Sequence, residues 1–257
     1  LEARYGAFEA IVQLKGSAAA AVPKLMKAFH DKDLWLRVNA ANALAAIGPA
    51  AMNAVPDLLT RLAVGPTAED PRAMEQRYLS SALFGTMLKK SIDGVDRDLL
   101  RKAVAAGLQN QDGRARGVVS GIYQQLSFEE IKPLMPAILE AIKEPAPSGE
   151  MFAAGVRLSG VEILAKHRIK EGMQLCLDVM EIDRWGKKDR IDRCIKIMGI
   201  YGPAAKPMLP QLRELEKALS KHQESKSLAP SVLALQKLIE KIETSSGNVE
   251  LRSLDSL

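Results

Sequence analysis

Hydrophobic residues recur along this chain at the spacing of amphipathic helices, and turn-forming residues separate the resulting segments. Residues 22–30 are predicted to form a helix in which the apolar side chains share one face: Val22, Leu25, Met26 and Phe29. Pro23 falls in its first turn, where the missing N–H of proline costs nothing. A second helix is predicted over residues 36–47. Gly48 and Pro49 end it, because glycine tolerates left-handed geometry and proline cannot continue a helix.

This two-helix pattern occurs twice at a fixed offset of 33 positions, so that residues 36–62 repeat residues 3–29. The identical pairs at that offset are Arg4/Arg37, Ala7/Ala40, Ala10/Ala43, Ala18/Ala51, Ala21/Ala54, Val22/Val55, Pro23/Pro56 and Leu25/Leu58. A fixed period of about 20–50 residues is typical of stacked repeats, in which each unit buries its apolar face against its neighbours. The composition agrees, since the chain is 47% hydrophobic but only 4% aromatic, and small side chains allow helices to pack closely.

The residues of this unit, AVPKLMKAFHDKDLWLRVNAANALAAIGPAA, resemble a HEAT repeat of the kind found in bilin-lyase-like proteins. The match is strong across residues 1–65 and good again over residues 200–222. The resemblance implies an all-α fold, a right-handed α-solenoid (superhelix) of stacked antiparallel helix pairs, in which the second helix of each pair lines the concave face. It also implies that a turn aspartate and a first-turn arginine tie successive turns together, a role that falls here to Asp31 with Arg37, and to Arg4 and Arg116.

The rest of the chain is also predicted to be helical, over residues 72–90, 96–109, 116–126, 129–143, 150–166, 170–182, 187–201, 204–222 and 228–243. With a helix at 3–14 this gives an orphan helix and about six pairs, in a single HEAT-like domain over residues 1–243. Residues 244–257 are expected to form a flexible C-terminal tail. The repeat begins on the second helix of a pair, which would leave the apolar face of that helix uncovered. We therefore expect either that the chain is part of a longer polypeptide or that this first helix is itself a cap. The loops at 63–72 and 144–149 are candidate specificity elements.

No motif in the chain predicts a reaction. The sequence lacks H-E-x-x-H, paired C-x-x-C and a Gly-rich loop ending in Gly-Lys-Ser/Thr, and its three histidines stand far apart. Cys176 and Cys194 are interpreted as buried free thiols, with a disulfide as the alternative. No apolar run reaches the length that crosses a membrane. We therefore expect no catalytic residue, no cofactor, no metal site and no membrane partner.

Charge raises an alternative function. The net charge of +5 permits an acidic partner without requiring one. A basic cluster lies within residues 183–196 and has an aromatic residue among its cations: Arg184, Trp185, Lys187, Lys188, Arg190 and Arg193. Such a cluster could hold phosphate or stack a nucleic-acid base. However, Asp189 and Asp192 stand four positions before Arg193 and Lys196, which favours local ion pairs on a solvated helix face.

The expected concave positions do not suit nucleic acid, because they are neutral or acidic: Gly6, Glu9, Asn39, Asn42, Gly121 and Gln125. Asn39 and Asn42 are candidate partner-binding residues, since asparagine disfavours helix interiors, and Glu9 and Gln125 join them. The sequence thus predicts a non-catalytic scaffold for a protein partner or for another domain of the same longer polypeptide. The alternatives are polyanion or DNA binding through residues 183–196, with base-excision chemistry, and a bilin-lyase-like activity that rests on the resemblance alone.

Overall fold

The computed structural model describes residues 2–143, 146 and 153–256, and the side chains from residue 5 onward within those ranges. In this part of the chain all regular structure is helical, apart from one parallel bridge between Ile169 and Arg252. The predicted all-α class is therefore confirmed. The chain divides into two compact units, Leu1–Val156 (unit 1) and Arg157–Leu257 (unit 2), where the sequence predicted a single domain. The side chain of Arg4 and most of the 144–149 loop lie outside the described residues.

Unit 1 contains two alternating series of helices. The helices are α1 (Glu2–Leu14), α2 (Val22–Phe29), α3 (Leu34–Ile47), α4 (Val55–Val64), α5 (Met74–Ala82), α6 (Arg97–Leu108), α7 (Gly113–Ser120), α8 (Phe128–Ile131) and α9 (Met135–Lys143). We call α1, α3, α5 and α7 the B helices, and α2, α4, α6 and α9 the A helices. The B helices pack on one another in chain order, α4 packs on α6 and α6 on α9, and α2, α4 and α6 each contact the B helix that follows.

The helix boundaries follow from local capping. Asp33, Asp96 and Asp112 each precede a helix and accept hydrogen bonds from its first free backbone N–H groups. Gly48 ends α3 with a φ of 76°, a backbone conformation that side chains with a Cβ rarely adopt. The connections from B to A helices in the repeated region are 3₁₀ turns, which the sequence reading missed: Lys15–Ala21 and Gly48–Ala54. The helix predicted over 72–90 is also shorter in the structure. Helix α5 ends at Ala82 and is followed by a π-helical turn at Leu83–Met87.

Small side chains in α3 and α6 permit close helix packing. Ala40, Ala41 and Ala43 of α3 are fully buried. Gly107 of α6 lies so close to α7 that an added Cβ would stand 2.8 Å from a methyl group of Val119. Contacts this tight leave no room for larger residues, which explains why the chain is rich in alanine and poor in aromatic residues.

Unit 2 is built from five helices in the described residues, α10 (Ala153–Lys166, which begins in unit 1), α11 (Gly172–Met180), α12 (Lys187–Tyr201), α13 (Leu209–Lys221) and α14 (Ser225–Thr244). Helix α12 packs on α11 and α14, and α13 packs on α14. The C-terminal segment is tied to this unit rather than loose. Lys170 N donates to Arg252 O at 2.8 Å, and Arg252 N donates to Arg168 O at 2.9 Å. Glu171 accepts from Ser253 Oγ at 2.8 Å, which adds a side-chain contact to the segment that the sequence predicts to be a tail.

The two cysteines are free and buried, as the sequence analysis interpreted them. The Cys176 thiol donates to the carbonyl of Cys194 at 3.4 Å. This contact with Cys194, together with burial, raises the pKa of the Cys176 thiol well above its ordinary value. A thiol that stays protonated and buried is a weak nucleophile. We therefore interpret the two cysteines as core residues of unit 2 and not as a reactive pair.

Two buried tyrosines provide a matched test of the core. The Tyr201 hydroxyl donates to Ile169 O at 2.8 Å, whereas the Tyr123 hydroxyl is buried with no hydrogen-bond partner among the described residues. We expect Tyr201→Phe to lower the free energy of unfolding by about 1 kcal/mol, and Tyr123→Phe to leave it unchanged or raise it, because an unsatisfied buried hydroxyl is itself costly. Urea unfolding followed by circular dichroism measures both. If Tyr123→Phe lowered the free energy of unfolding as much as Tyr201→Phe, the Tyr123 hydroxyl would not be the unsatisfied group described here.

Candidate functional site

Arginines in the first turns of the B helices tie the turns of unit 1 together. Arg37 Nη1 donates to Asp31 O and Lys32 O, both at 2.9 Å. Arg116 Nε donates in the same way to Asn110 O at 2.6 Å, again six positions back. In both cases the arginine binds a backbone carbonyl of the turn that precedes its own helix. The assignment of these residues to HEAT-type repeats stays a prediction. Two of these arginines therefore serve the fold and leave little of their hydrogen-bonding capacity to a ligand.

A buried carboxylate, which the sequence analysis missed, joins three helices. Glu75 of α5 is only 1% exposed. It accepts from Arg37 Nε at 2.6 Å and Nη2 at 3.1 Å, and from Arg61 Nε at 3.1 Å and Nη2 at 2.9 Å. Burial works to raise the pKa of the Glu75 carboxyl, but the hydrogen bonds and charges of the two arginines outweigh burial and hold it below its ordinary value. Glu75 thus clamps α5 to α3 and α4 as an ionised group.

The exposed side of α3 carries the two predicted asparagines together with a tryptophan. Trp35, Asn39 and Asn42 follow one another at spacings of four and three residues, which places them on one stripe of the helix. Trp35 is 45% exposed, and both asparagines are partly exposed. Asn39 Nδ2 donates to the Trp35 carbonyl at 2.7 Å, so one half of its amide group is used inside the helix.

An aromatic pair joins this stripe to the neighbouring B helix. The rings of Trp35 and Tyr78 lie edge to face, with centroids 6.1 Å apart and an angle of 71° between the ring planes. Ser81 follows Tyr78 by three positions on α5, as Asn42 follows Asn39 on α3, and it is exposed. We call these residues, Trp35, Asn39, Asn42, Tyr78 and Ser81, the α3–α5 face. None of the five carries a charge, so the face offers aromatic surface and neutral hydrogen-bonding groups.

The other two predicted partner-binding residues lie elsewhere on unit 1. Glu9 is exposed on α1, at the repeat position that Asn42 occupies on α3. Gln125 follows α7, and its amide donates to Leu88 O at 2.9 Å and to Lys89 O at 3.3 Å. The donors of Gln125 are thus used inside the protein, whereas Glu9 remains on the surface beside α3. Only the asparagine pair is brought together with the aromatic residues.

The loop over 63–72, a candidate specificity element, is tied inward. Gln76 Nε2 donates to Gly65 O at 2.6 Å, and Glu75 N donates to Asp70 Oδ2 at 2.7 Å. Asn110 Nδ2 also donates to Ala73 O, at 3.3 Å, just beyond the loop. These contacts give the loop a structural part in seating α5, and thereby in positioning Tyr78.

The basic cluster in unit 2 is largely neutralised by carboxylates. Arg184 pairs with Glu181 at 2.7 Å, Lys187 with Glu224 at 2.6 Å and Arg193 with Glu162 at 3.2 Å. The predicted pairing of Asp189 with Arg193 is therefore wrong, because Arg193 pairs with Glu162 of α10. Asp192 likewise accepts from Ser231 Oγ at 2.6 Å instead of pairing with Lys196. Lys188 and Trp185 stay exposed, and Trp185 is 80% exposed.

Arg190, a member of the same cluster, is a core residue and not a surface cation. It is 4% exposed, and its guanidinium donates to four backbone carbonyls: Met180, Glu181, Arg184 and Trp185. Two of these lie five and six positions back, the same separations as for the carbonyls that Arg37 holds. Arg190 therefore plays in α12 the part that Arg37 plays in α3, and it is not available to an external anion.

The described part of the chain contains neither of two other kinds of site. No three His, Cys, Asp or Glu side chains there are grouped as a metal ion would require. No helix in the described ranges has the length and apolar character of a membrane span. Comparisons of the chain with protein-family models, with curated proteins and with solved structures gave no match. The function has therefore to be inferred from the surfaces of the molecule itself.

Proposed function

We propose that this protein is a non-catalytic binding scaffold of the HEAT-like α-solenoid type, a right-handed superhelix of helix pairs. Its α3–α5 face would contact a protein partner or another domain of the same polypeptide. The observation that carries the proposal is the aromatic pair of exposed Trp35 and half-buried Tyr78, on adjacent B helices beside Asn39 and Asn42. The packing of the B helices in chain order supports the solenoid part of the proposal.

The chemistry of the face suits a protein surface. Exposed tryptophan and tyrosine bury a large rigid area at a small cost in side-chain entropy, and they dominate the energetics of many interfaces. The Asn42 amide can both donate and accept hydrogen bonds at the edge of the aromatic pair. Because the face is uncharged, a partner would not have to strip water from buried ions.

The core beneath the face fixes its geometry. Arg37 lies two positions after Trp35, and Glu75 lies three positions before Tyr78. The ion pair between Arg37 and Glu75 therefore joins the same two helix turns that carry the aromatic pair. A surface held in this way loses little conformational freedom when it binds, which favours affinity.

The test compares the two exposed tryptophans. A partner captured with the full chain and then purified is titrated against Trp35→Ala, Asn42→Glu and the control Trp185→Ala. We expect Trp35→Ala and Asn42→Glu each to weaken binding by about 30-fold or more, the effect of losing an interface hot spot, and Trp185→Ala to leave the affinity unchanged. An affinity that survives Trp35→Ala and is lost in Trp185→Ala would assign binding to unit 2 and overturn the proposal.

A further inference from the structure

Unit 1 has a second, chemically different surface: an apolar groove of about 760 Å³ between α1 and α2. Its apolar lining includes Ala7, Phe8, Ile11, Leu25 and Ala28. Two lysines of α2, Lys24 and Lys27, stand exposed along its rim, and neither forms an ion pair with a described side chain. Asp31 also lines the groove. The groove therefore combines an apolar bottom with charged residues among which the two lysines outnumber the one carboxylate.

The repeat shows what shape fits this groove. The counterparts of Ala7, Phe8 and Ile11 in α3, 33 positions later, are Ala40, Ala41 and Leu44, and all three are fully buried. Helix α2 packs on α3. By contrast Ala7 is exposed and Ile11 is partly exposed, while Phe8 is buried like its counterpart. The groove on α1 thus corresponds to the seat that an A helix occupies on the next B helix.

The orientation of α2 places its lysines at this seat. In the following pair, Asp57 of α4 points back to α2, since it accepts from His30 Nε2 at 3.1 Å, and Thr60 lines the same cleft. Lys24 and Lys27 are the residues of α2 at the positions of Asp57 and Thr60, 33 residues earlier. They consequently point to the side of α2 away from α4, where a helix lying in the groove would meet them.

We propose that this groove binds an amphipathic α-helix of a partner protein, with its apolar face on α1 and α2 and with carboxylates facing Lys24 and Lys27. The packing of α2 on α3 indicates that the bound segment is a helix, and the two lysines indicate that it carries negative charge. Helix-in-groove recognition of this kind uses apolar anchors at i, i+3, i+4 and i+7, the spacing that Val22, Leu25, Met26 and Phe29 already use in α2. This surface is separate from the α3–α5 face and does not depend on its function.

The probe is a stapled helical peptide that has the apolar spacing of α2 and glutamates along one flank. A second peptide has lysines in place of the glutamates. Fluorescence anisotropy with the full chain measures binding of both peptides to the wild type and to the double variant Lys24→Glu/Lys27→Glu. The matched control is Lys89→Glu/Lys90→Glu, which makes the same charge change at exposed lysines elsewhere on unit 1.

We expect the acidic peptide to bind the wild type and the control alike, and to bind Lys24→Glu/Lys27→Glu at least 10-fold more weakly. The lysine peptide should show the opposite preference. Trp35→Ala should change neither value, so a failure of the α3–α5 face would not be mistaken for a failure of the groove. Equal binding of the acidic peptide to all variants, or no binding to any, overturns the proposal. So does a dimer of the full chain in sedimentation velocity that the groove variant dissociates, because the occupant would then be a second copy.

Discussion

Replacing Glu75 with alanine is expected to lower the free energy of unfolding by about 3–5 kcal/mol, the largest stability effect that we expect of any single substitution. Glu75 is the shared carboxylate of Arg37 and Arg61. Its removal leaves the Arg37 guanidinium, which is itself mostly buried, without its counter-charge in the core of unit 1. The cost comes mainly from that uncompensated charge and less from the net strength of the ion pairs, since a buried pair repays only part of its own desolvation.

The matched control for this substitution is Glu140→Ala. Glu140 is an exposed helical glutamate of the same unit, and its loss should change stability by about 0.5 kcal/mol or less. Urea unfolding followed by circular dichroism gives both values. Equal, small losses in the two variants would show that Glu75 is not a clamp.

The same carboxylate predicts a pH dependence. The folded-state pKa of Glu75 lies below its ordinary value of 4.5, so folding favours the ionised form. Its stabilising contribution is therefore fully present above about pH 4.5 and is lost as the pH falls through the folded-state pKa. The stability difference between the wild type and Glu75→Ala should accordingly be constant near neutral pH and shrink in acid.

Arg190→Met should have the second largest effect on stability, a loss of about 3 kcal/mol, because it removes a charged donor from four backbone carbonyls at buried and part-buried sites. Methionine keeps much of the side-chain volume, so the loss would report the hydrogen bonds more than packing. Arg190→Lys should recover only part of it, since one ammonium group cannot reproduce the planar fork of a guanidinium.

Arg193→Met is the control for Arg190. Arg193 stands one turn away on the same helix and pairs with Glu162 at an exposed site, where an ion pair contributes about 0–1 kcal/mol. Urea unfolding of the variants separates the two roles. A loss in Arg193→Met as large as that in Arg190→Met would contradict the division of the basic cluster into a core residue and surface cations.

The sequence was most informative where a local pattern decides the structure. Pro23 and Gly48 mark helix ends through the chemistry of their own neighbourhoods. The helices that they bound, predicted over 22–30 and 36–47, are observed at Val22–Phe29 and Leu34–Ile47. Arg37 and Arg116, which the sequence analysis singled out through a resemblance, each bind a backbone carbonyl six positions back. Such features need no knowledge of which distant residue lies nearby.

The contacts that the sequence did not predict are long-range. Glu75 accepts from a residue 38 positions away, and Arg193 reaches a carboxylate 31 positions away in preference to the aspartate of its own helix. The sequence contained one indication for Glu75. It stands four positions before the buried Leu79, which places a charged residue on the apolar face of α5. For Arg190 the signal was its place in the first turn of a B-like helix, which it shares with Arg37.

The candidate site was found in part. Asn39 and Asn42 were predicted from their exposure on a helix, but Tyr78 was not, because its pairing with Trp35 depends on how α3 packs against α5. Trp35 lies one position before the predicted helix over 36–47, so the sequence analysis did not place it on the face of that helix. Trp35 and Tyr78 stand on different helices about 40 positions apart, and no local pattern in the sequence predicts that the two rings meet.

The most direct measurement of the central claim is site-specific photo-crosslinking to the partner of the full chain. A photoreactive amino acid is placed at Asn42 on the α3–α5 face and, as the control, at Asp98, which is exposed on the A helix α6. We predict crosslinks from position 42 that disappear in a Trp35→Ala background, and none from position 98. Crosslinks from position 98 with none from position 42 would contradict the account.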